Sequence, residues 1–296
     1  MNDLITPGKA LGYSEMFVDF LSGKDSARHF YASAGIEEVA AGLDGLDYNR
    51  EKLVEILKRQ NRSYGASNAT IENIHLLRDK KALCAFAGQQ AILFGGPFLI
   101  ILKALSIIKT AQSYSKRLSR PVVPMFWMAG DDHDFEEVNH TWLINREGEP
   151  VRIAYGSAPE IERPMAETTF ADGDELERAK EMLRTALGDT DFTPDLHQAI
   201  ERAYRTGATF VEAFAGFMTY LTGRFGLVLF SPGDPEVKKF AAPFFLDILD
   251  RQQDLHTIIT TTNQHIEQHG YHLQVQKKDN ATHLFCNLNG RRPVMR

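Results

Sequence analysis

The fold is decided by the stretch PVVPMFWMAGDDHDFEEVNH, residues 121–140. Its first eight residues are apolar, which is typical of a strand that is buried on both faces of a parallel sheet. The apolar run ends at Gly130, and the next seven positions hold five acidic residues and one histidine. Ligands of open parallel sheets bind beyond the carboxyl ends of the strands. The stretch therefore predicts a buried strand that leads directly into a polar site.

Two further apolar runs predict the neighbouring strands. ALCAFAG (82–88) precedes the opening stretch, and FGLVLFS (225–231) follows it. Between the first two strands, residues 95–120 predict a long helix that starts at a Gly-Pro pair and carries basic residues in its last turns. Strand, helix and strand in this order form a βαβ unit, which implies a parallel sheet with a right-handed crossover. The predicted fold class is therefore α/β.

The chain is expected to divide into five segments. A turn at Asn289-Gly290 leaves six residues for a return strand, so the last segment is expected to be incomplete. The segments are an N-terminal helical segment that packs on the core (1–80), the first part of the core (81–145), an insertion of a hairpin and helices (146–206), the continuation of the core with a long helix (207–268), and the start of a small β subdomain (269–296).

Composition narrows the class of protein. Hydrophobic residues make up 43% and charged residues 24% of the chain, as in ordinary globular proteins. The net charge of −6 argues against a nucleic-acid partner, because no basic block is present to hold phosphates. The longest apolar stretch contains Lys103 and a Gly-Gly-Pro start, so no membrane span is predicted. The N-terminal residues lack the basic-then-apolar pattern of a signal peptide, so none is expected. Two distant cysteines, with Cys84 in an apolar run, predict a reduced cytoplasmic protein.

Polar or glycine-rich loops follow the three predicted strands: AGQQAILFGGP, AGDDHDFEEVNH and SPGDPE. Because parallel strands end at one edge of the sheet, we expect the loops to form one site. Glycines allow tight turns, the glutamines offer amide donors and acceptors, and a helix start favours an anion. A tight connection without a ligand explains the first loop equally well. The predicted substrate-binding residues are Gly88, Gln89, Gln90, Gly95, Gly96, Asp131, Asn139, Ser231 and Asp234.

The predicted catalytic residues are Asp132, His133 and Asp134. A carboxylate beside an imidazole is suited to general acid–base work. Alternatively, these residues could ligate a divalent metal with support from His140, as in a metal-dependent hydrolase. A purely structural interpretation takes Asp131 or Asp132 as a helix cap and places the two following glutamates in the first turn. That interpretation explains the glutamates well and His133 poorly, so the glutamates are assigned to structure.

The motifs AGQQAILFGGP, PVVPMFWMAGDDHDFEEVNH, FGLVLFSPGDPEVKKF and GYHLQV…ATHLF, in this order, resemble the BshC family of cysteine-adding enzymes of bacillithiol biosynthesis. The likeness runs from near the N-terminus to the end of the chain. It departs at Asp131, where the family commonly has glutamate, and at Phe94 and Gly95, where the family varies. The resemblance implies a Rossmann-like core, related to nucleotidyltransferases and class I aminoacyl-tRNA synthetases and interrupted by insertions.

The resemblance also implies an activity: ligation of L-cysteine to the amino group of glucosaminyl-malate through an amide bond. His133 or a neighbouring aspartate would accept the amine proton, and Gln89 and Gln90 would orient a substrate. ATP is a possible cofactor, no metal is expected, and small molecules rather than a nucleic acid or a membrane are the expected partners. Family members form homodimers through a C-terminal coiled coil. That coiled coil and a later glycine-rich loop are absent, so the chain is expected to be an N-terminal fragment. A non-catalytic binding fragment is the remaining alternative.

Overall fold

The computed structural model of the chain describes residues 12–31, 35–275, 282 and 284–286. Contacts divide the chain into two compact units. One unit comprises residues 47–241, and the other comprises residues 1–46 together with residues 242–296. The three predicted strands and their loops all belong to the first unit.

Helices are the main secondary structure in both units. The helices form where apolar residues recur at helical spacing. Several of them are capped at the N-terminus by a Ser, Thr, Asn or Asp side chain. In chain order the helices are α1 (Glu15–Leu21), α2 (Asp25–Arg28), α3 (Ile36–Leu43), α4 (Arg50–Ser63), α5 (Asn68–Leu76), α6 (Phe98–Leu118), α7 (Phe135–Val138), α8 (Gly173–Leu187), α9 (Thr193–Ala203), α10 (Phe210–Thr222), α11 (Pro235–Asp250) and α12 (Gln252–Gln268).

The strands form a parallel sheet and a separate antiparallel hairpin. The parallel sheet has the order β1-β2-β5, and β3 pairs with β4 in the hairpin. Gly88 of β1 lies beside Trp127 of β2, which in turn lies beside Phe230 of β5, so all three strands end at the same edge. The α/β class with a parallel sheet is confirmed. The strands are β1 (Leu83–Gln89), β2 (Val122–Met128), β3 (His140–Ile144), β4 (Pro150–Ala154) and β5 (Val228–Phe230).

Helices cover the two faces of the parallel sheet with separate hydrophobic clusters. Met125 of β2 faces one cluster, which includes residues of α4 and α5, while Phe126 faces the other, which includes residues of α6 and α10. The alternation follows from the two-residue period of a strand. A strand with apolar partners on both faces needs the continuous apolar run seen in the sequence.

The long crossover helix α6 confirms the prediction for residues 95–120. It is preceded by a 3₁₀ turn, Leu93–Gly95, and it begins at Phe98, so that Pro97, predicted as the first helical residue, is instead the N-cap. Gly95 and Gly96 have φ angles of 85° and 66°, which side-chain-bearing residues rarely adopt. These two glycines therefore serve the tight entry into α6.

The segment between α7 and α10 forms the predicted hairpin and helices. The β3–β4 hairpin and helices α8 and α9 share a buried cluster with α10 and the 3₁₀ turn. Phe170 and Phe210 stack at its centre, with ring centroids 4.3 Å apart. Burial of such rings gives this cluster a core of its own. The Tyr204 hydroxyl accepts a hydrogen bond from the N–H of Gly95 at 3.1 Å, which ties α9 to the turn before α6.

The second unit contains α1, α2, α3, α12 and the C-terminal part of α11. Here the Tyr271 hydroxyl donates to Asp19 Oδ2 at 3.0 Å and lies 2.9 Å from Ser26 Oγ. The apolar stripe after residue 235 predicts one long helix, but the structure has two, because Arg251 leaves the helical conformation between α11 and α12. Most of the predicted C-terminal β subdomain lies outside the described residues. No helix in the described part of the chain is long and apolar enough to cross a membrane.

Candidate functional site

Close packing of small residues brings the second and third strand-end loops together. A β-carbon on Gly130 would lie 2.6 Å from Val211 Cγ2 and 3.2 Å from Ala166 Cβ. A β-carbon on Gly233 would lie 2.9 Å from the same Ala166 Cβ. The N–H of Ala166 donates to the carbonyl oxygen of Gly130 at 2.9 Å. The two glycines therefore allow the 164–168 segment to close over this edge of the sheet.

Gln90 connects the first loop to the second. Its Nε2 amide donates to Asp132 Oδ2 at 2.8 Å and to Glu137 Oε2 at 2.6 Å. The structure thus brings together two predicted site residues, Gln90 and Asp132. Glu137, assigned to the helix start from sequence, was missed as a member of this cluster. The only signal for Glu137 in the sequence is its place within the second loop, AGDDHDFEEVNH.

Gln89, the last residue of β1, makes a different contact. Lys103 Nζ, from the second turn of α6, donates to Gln89 Oε1 at 2.7 Å. Lys103 interrupts an otherwise apolar segment, and this signal could have marked it as a candidate residue at this edge of the sheet. The sheet edge consequently carries a cation beside Gln89 and two carboxylates beside Gln90.

His133 has an unusual environment within the second loop. Both of its ring nitrogens are buried, and neither has a hydrogen-bond partner among the described residues. Its backbone is held in place, because its N–H donates to Asp132 Oδ1 at 2.8 Å. Buried polar atoms without a partner are costly and uncommon, and catalytic groups are one class in which they occur.

Asp134 has a structural task in the same loop. It is exposed and is the N-cap of α7, where its Oδ1 accepts the N–H of Glu137 at 3.3 Å. The sequence placed this cap at Asp131 or Asp132, so the structural interpretation was wrong in the position of the cap. Within the described residues, no three His, Cys, Asp or Glu side chains are gathered as metal ligands.

In the third loop, Asp234 anchors the sheet edge to α4. Its Oδ2 accepts from Arg59 Nη2 at 2.5 Å and from Gln60 Nε2 at 3.2 Å, and its Oδ1 accepts the N–H of Glu236 at 2.8 Å. Burial alone would raise the pKa of the Asp234 carboxyl, but these hydrogen bonds lower it below its ordinary value. Ser231 is buried, and its backbone N–H and C=O are both paired with the Gln60 amide. Both predicted residues are thus held by α4.

The remaining predicted residues are distributed around this edge. Asp131 Oδ1 lies 3.8 Å from Lys238 Nζ, an exposed pair that contributes little to stability. Asn139 is buried at the base of the hairpin, with its Oδ1 3.0 Å from His140 Nδ1. Gly95 packs against Phe217 and gives its N–H to Tyr204. The predicted anion role of Gly95 and Gly96 therefore stays a prediction.

Comparison with known proteins identifies what the chain is similar to. A family model described as the bacillithiol biosynthesis BshC N-terminal Rossmann-like domain matches residues 4–296. Three bacterial relatives share the provisional name cysteine ligase BshC. The protein of Oceanobacillus iheyensis is 30% identical over 84% of this chain, and that of Geobacillus kaustophilus is 31% identical over 92%. The protein of Bacillus cereus strain G9842 is 30% identical over 94%.

The matched region is only part of each relative. It covers 46% of the Oceanobacillus protein, 51% of the Geobacillus protein and 52% of the Bacillus protein. The chain therefore spans about half the length of the curated relatives it matches.

Proposed function

This chain belongs to the bacillithiol biosynthesis BshC family, whose N-terminal Rossmann-like domain it matches over residues 4–296, and we propose that its sheet edge serves the ligation of L-cysteine to glucosaminyl-malate. The bond formed is an amide between the cysteine carboxyl carbon and the amino nitrogen of the sugar. The shared name of the relatives, a cysteine ligase, supports this activity. In the complete protein we propose a cytoplasmic homodimer, joined through a C-terminal coiled coil.

The observation that carries the proposal is the His133 side chain at the end of β2. Its two buried ring nitrogens have no hydrogen-bond partner among the described residues, beside a loop that also carries Asp132. An amine nucleophile must lose a proton when it attacks a carbonyl carbon, and a neutral imidazole can accept that proton. We assign His133 this role of general base.

Access to His133 requires movement. Because the ring nitrogens are buried, the imidazole must rotate or the 130–134 loop must shift before a substrate amine can reach it. Catalytic hydrogen bonds commonly form only in the substrate complex, so the free geometry is compatible with this role. Binding of the substrate would then provide the hydrogen-bond partner that the imidazole lacks among the described residues.

Asp132 and Gln90 hold the loop and shape the site. Asp132 accepts hydrogen bonds from the His133 N–H and from Gln90 Nε2, so the second loop is tied to the end of β1. Asp134, as a helix cap, positions α7 rather than touching the reacting atoms. The cysteine carboxyl must also carry a leaving group, and ATP is the candidate source of that activation.

A mass-spectrometric assay tests the proposal. The chain, the chain joined to the C-terminal half of the Geobacillus relative, and that relative itself would each receive L-cysteine and glucosaminyl-malate, with and without ATP. We expect bacillithiol from the joined protein and from the relative, and none from the chain alone. If the relative forms product while a folded joined protein forms none, the proposed function of this chain is wrong.

A further inference from the structure

We propose that Lys103, Gln89, Gln90, Asp132 and Glu137 form a dipolar subsite for the head group of a free α-amino acid. The carboxylate would lie toward Lys103 and Gln89, and the ammonium would lie toward Gln90 and the two acidic side chains. The inference rests on the proposed function and deepens it, because it assigns the L-cysteine substrate, rather than the sugar-malate, to this end of β1.

Charged neighbours fix the orientation of both glutamine side chains. Lys103 Nζ can only donate, so the Gln89 oxygen must face it at 2.7 Å. The carboxylates of Asp132 and Glu137 accept, so the Gln90 NH₂ group must face them, at 2.8 and 2.6 Å. If the Gln89 amide were reversed, its NH₂ group would face the lysine ammonium, and if the Gln90 amide were reversed, its oxygen would face the two carboxylates. Both arrangements are repulsive, so the orientations are unambiguous.

The fixed orientations leave opposite groups for a ligand. Gln89 turns its oxygen to Lys103, so its NH₂ group remains as a donor. Gln90 turns its NH₂ group to the carboxylates, so its oxygen remains as an acceptor. Neither remaining group has a hydrogen bond to another described residue. Gln89 is the last residue of β1 and Gln90 follows it, so the strand end offers one donor and one acceptor at consecutive residues.

The charged side chains beside the two amides reinforce the polarity of the remaining donor and acceptor. A lysine lies behind the donor, while two carboxylates lie behind the acceptor. The zwitterionic head group of an α-amino acid has the complementary arrangement, with a carboxylate and an ammonium on one carbon. A malate group carries two carboxylates, one of which would approach Asp132 and Glu137 and be repelled. Charge complementarity therefore favours the amino acid.

Isothermal titration of the chain with three thiols tests the subsite. L-cysteine has both charged groups, N-acetyl-L-cysteine lacks the ammonium, and L-cysteine methyl ester lacks the carboxylate. We expect L-cysteine to bind at least about tenfold more tightly than either blocked compound, since each would lose a charge-assisted contact. If L-cysteine does not bind to the folded chain at millimolar concentrations, the subsite does not exist.

Two variants separate the poles. Lys103→Met should weaken L-cysteine binding about tenfold while affecting the methyl ester little, and Glu137→Gln should weaken L-cysteine binding while affecting N-acetyl-L-cysteine little. Lys109→Met, on the same helix, and Glu136→Gln, beside Glu137, are matched exposed controls. They should leave the affinities for all three compounds unchanged. Equal weakening of all three compounds by Lys103→Met would show a structural role for the lysine and contradict the subsite.

The results also separate this inference from the ligase function. If the joined protein forms bacillithiol while Lys103→Met and Glu137→Gln leave L-cysteine binding unchanged, the subsite is wrong and the ligation stands. If the binding pattern is as expected while no product forms, the subsite stands and the proposed ligation fails.

Discussion

The side chain of Asn61 pairs with the backbone of Leu229 as a neighbouring strand would. Asn61 Nδ2 donates to the Leu229 carbonyl oxygen at 2.8 Å, and the Leu229 N–H donates to Asn61 Oδ1 at 2.9 Å. Asn61 is 1% exposed and β5 is buried, so water cannot satisfy these backbone groups. The outer edge of β5 is thus closed by helix α4, which keeps the third strand-end loop in place.

Replacement of Asn61 by leucine should destabilise the protein. The Leu229 N–H and C=O would both lose their partners in a buried environment, at about 1–3 kcal/mol for each unsatisfied group. We expect the free energy of unfolding to fall by about 3 kcal/mol, measured by urea denaturation with circular dichroism. Arg62→Ala, at the next and exposed position of α4, is the control. A loss no larger than that of the control would mean that β5 does not depend on this pairing.

The Gly130→Ala variant should disturb the closure of the sheet edge. The new methyl group would lie 2.6 Å from Val211 Cγ2, and overpacking of this kind costs about 1–3 kcal/mol. The melting temperature should fall, and a second change, Val211→Ala, should restore part of it by removing the clashing methyl group. Additive losses in the double variant would contradict the proposed contact, because independent sites lack such coupling.

Sequence patterns sufficed for the parallel sheet and for the edge at which its three strand-end loops lie. The apolar runs of β1, β2 and β5 are local features of the sequence, so the hydrophobic pattern is sufficient to detect them. Their shared edge follows from parallel pairing alone. His133 does lie in the loop after β2, as the sequence predicts, but the burial of its ring nitrogens, which have no partner in the described part of the chain, was not predicted.

Side-chain contacts between distant segments could not be predicted in the same way. Asn61 looks like an ordinary polar position of an amphipathic helix, and only tertiary packing sets it against β5. Lys103 and Gln89 are 14 residues apart and meet because α6 returns along the sheet. The cap of α7 is Asp134 rather than Asp131 or Asp132, and composition could not distinguish them because each aspartate can accept an N-cap hydrogen bond.

The Cys84 thiol should react slowly with disulfide reagents in the native protein. Burial raises the pKa of its thiol to about 12, with Arg50 opposing this weakly, so the reactive thiolate is scarce at pH 8. A Cys286→Ser variant, which leaves Cys84 as the single cysteine, should react far more slowly with a disulfide reagent when native than in guanidinium chloride. Equal rates in the two conditions would show that the Cys84 environment differs from the one described.

The Asp234 carboxyl should contribute to the acid sensitivity of the fold. Its pKa is lowered in the native state, despite burial, by hydrogen bonds from Arg59, the Glu236 N–H and Gln60. A lowered pKa stabilises the fold above the unfolded value of about 3.9, and this stabilisation is lost as the pH falls through the native pKa. Asp234→Asn should therefore be less stable at neutral pH and should lose less stability below about pH 4. Parallel stability curves for the two proteins would contradict this assignment.

The most direct test of the account is the rate of bacillithiol formation by the joined protein carrying His133→Ala, followed by mass spectrometry. His197→Ala is the matched control, because His197 also has a buried ring nitrogen without a partner among the described residues but lies on α9 rather than in a strand-end loop. We predict a rate lowered about 100-fold or more for His133→Ala, with an unchanged circular dichroism spectrum, and a nearly normal rate for His197→Ala. A nearly normal rate for His133→Ala would contradict the claim that this histidine accepts the amine proton.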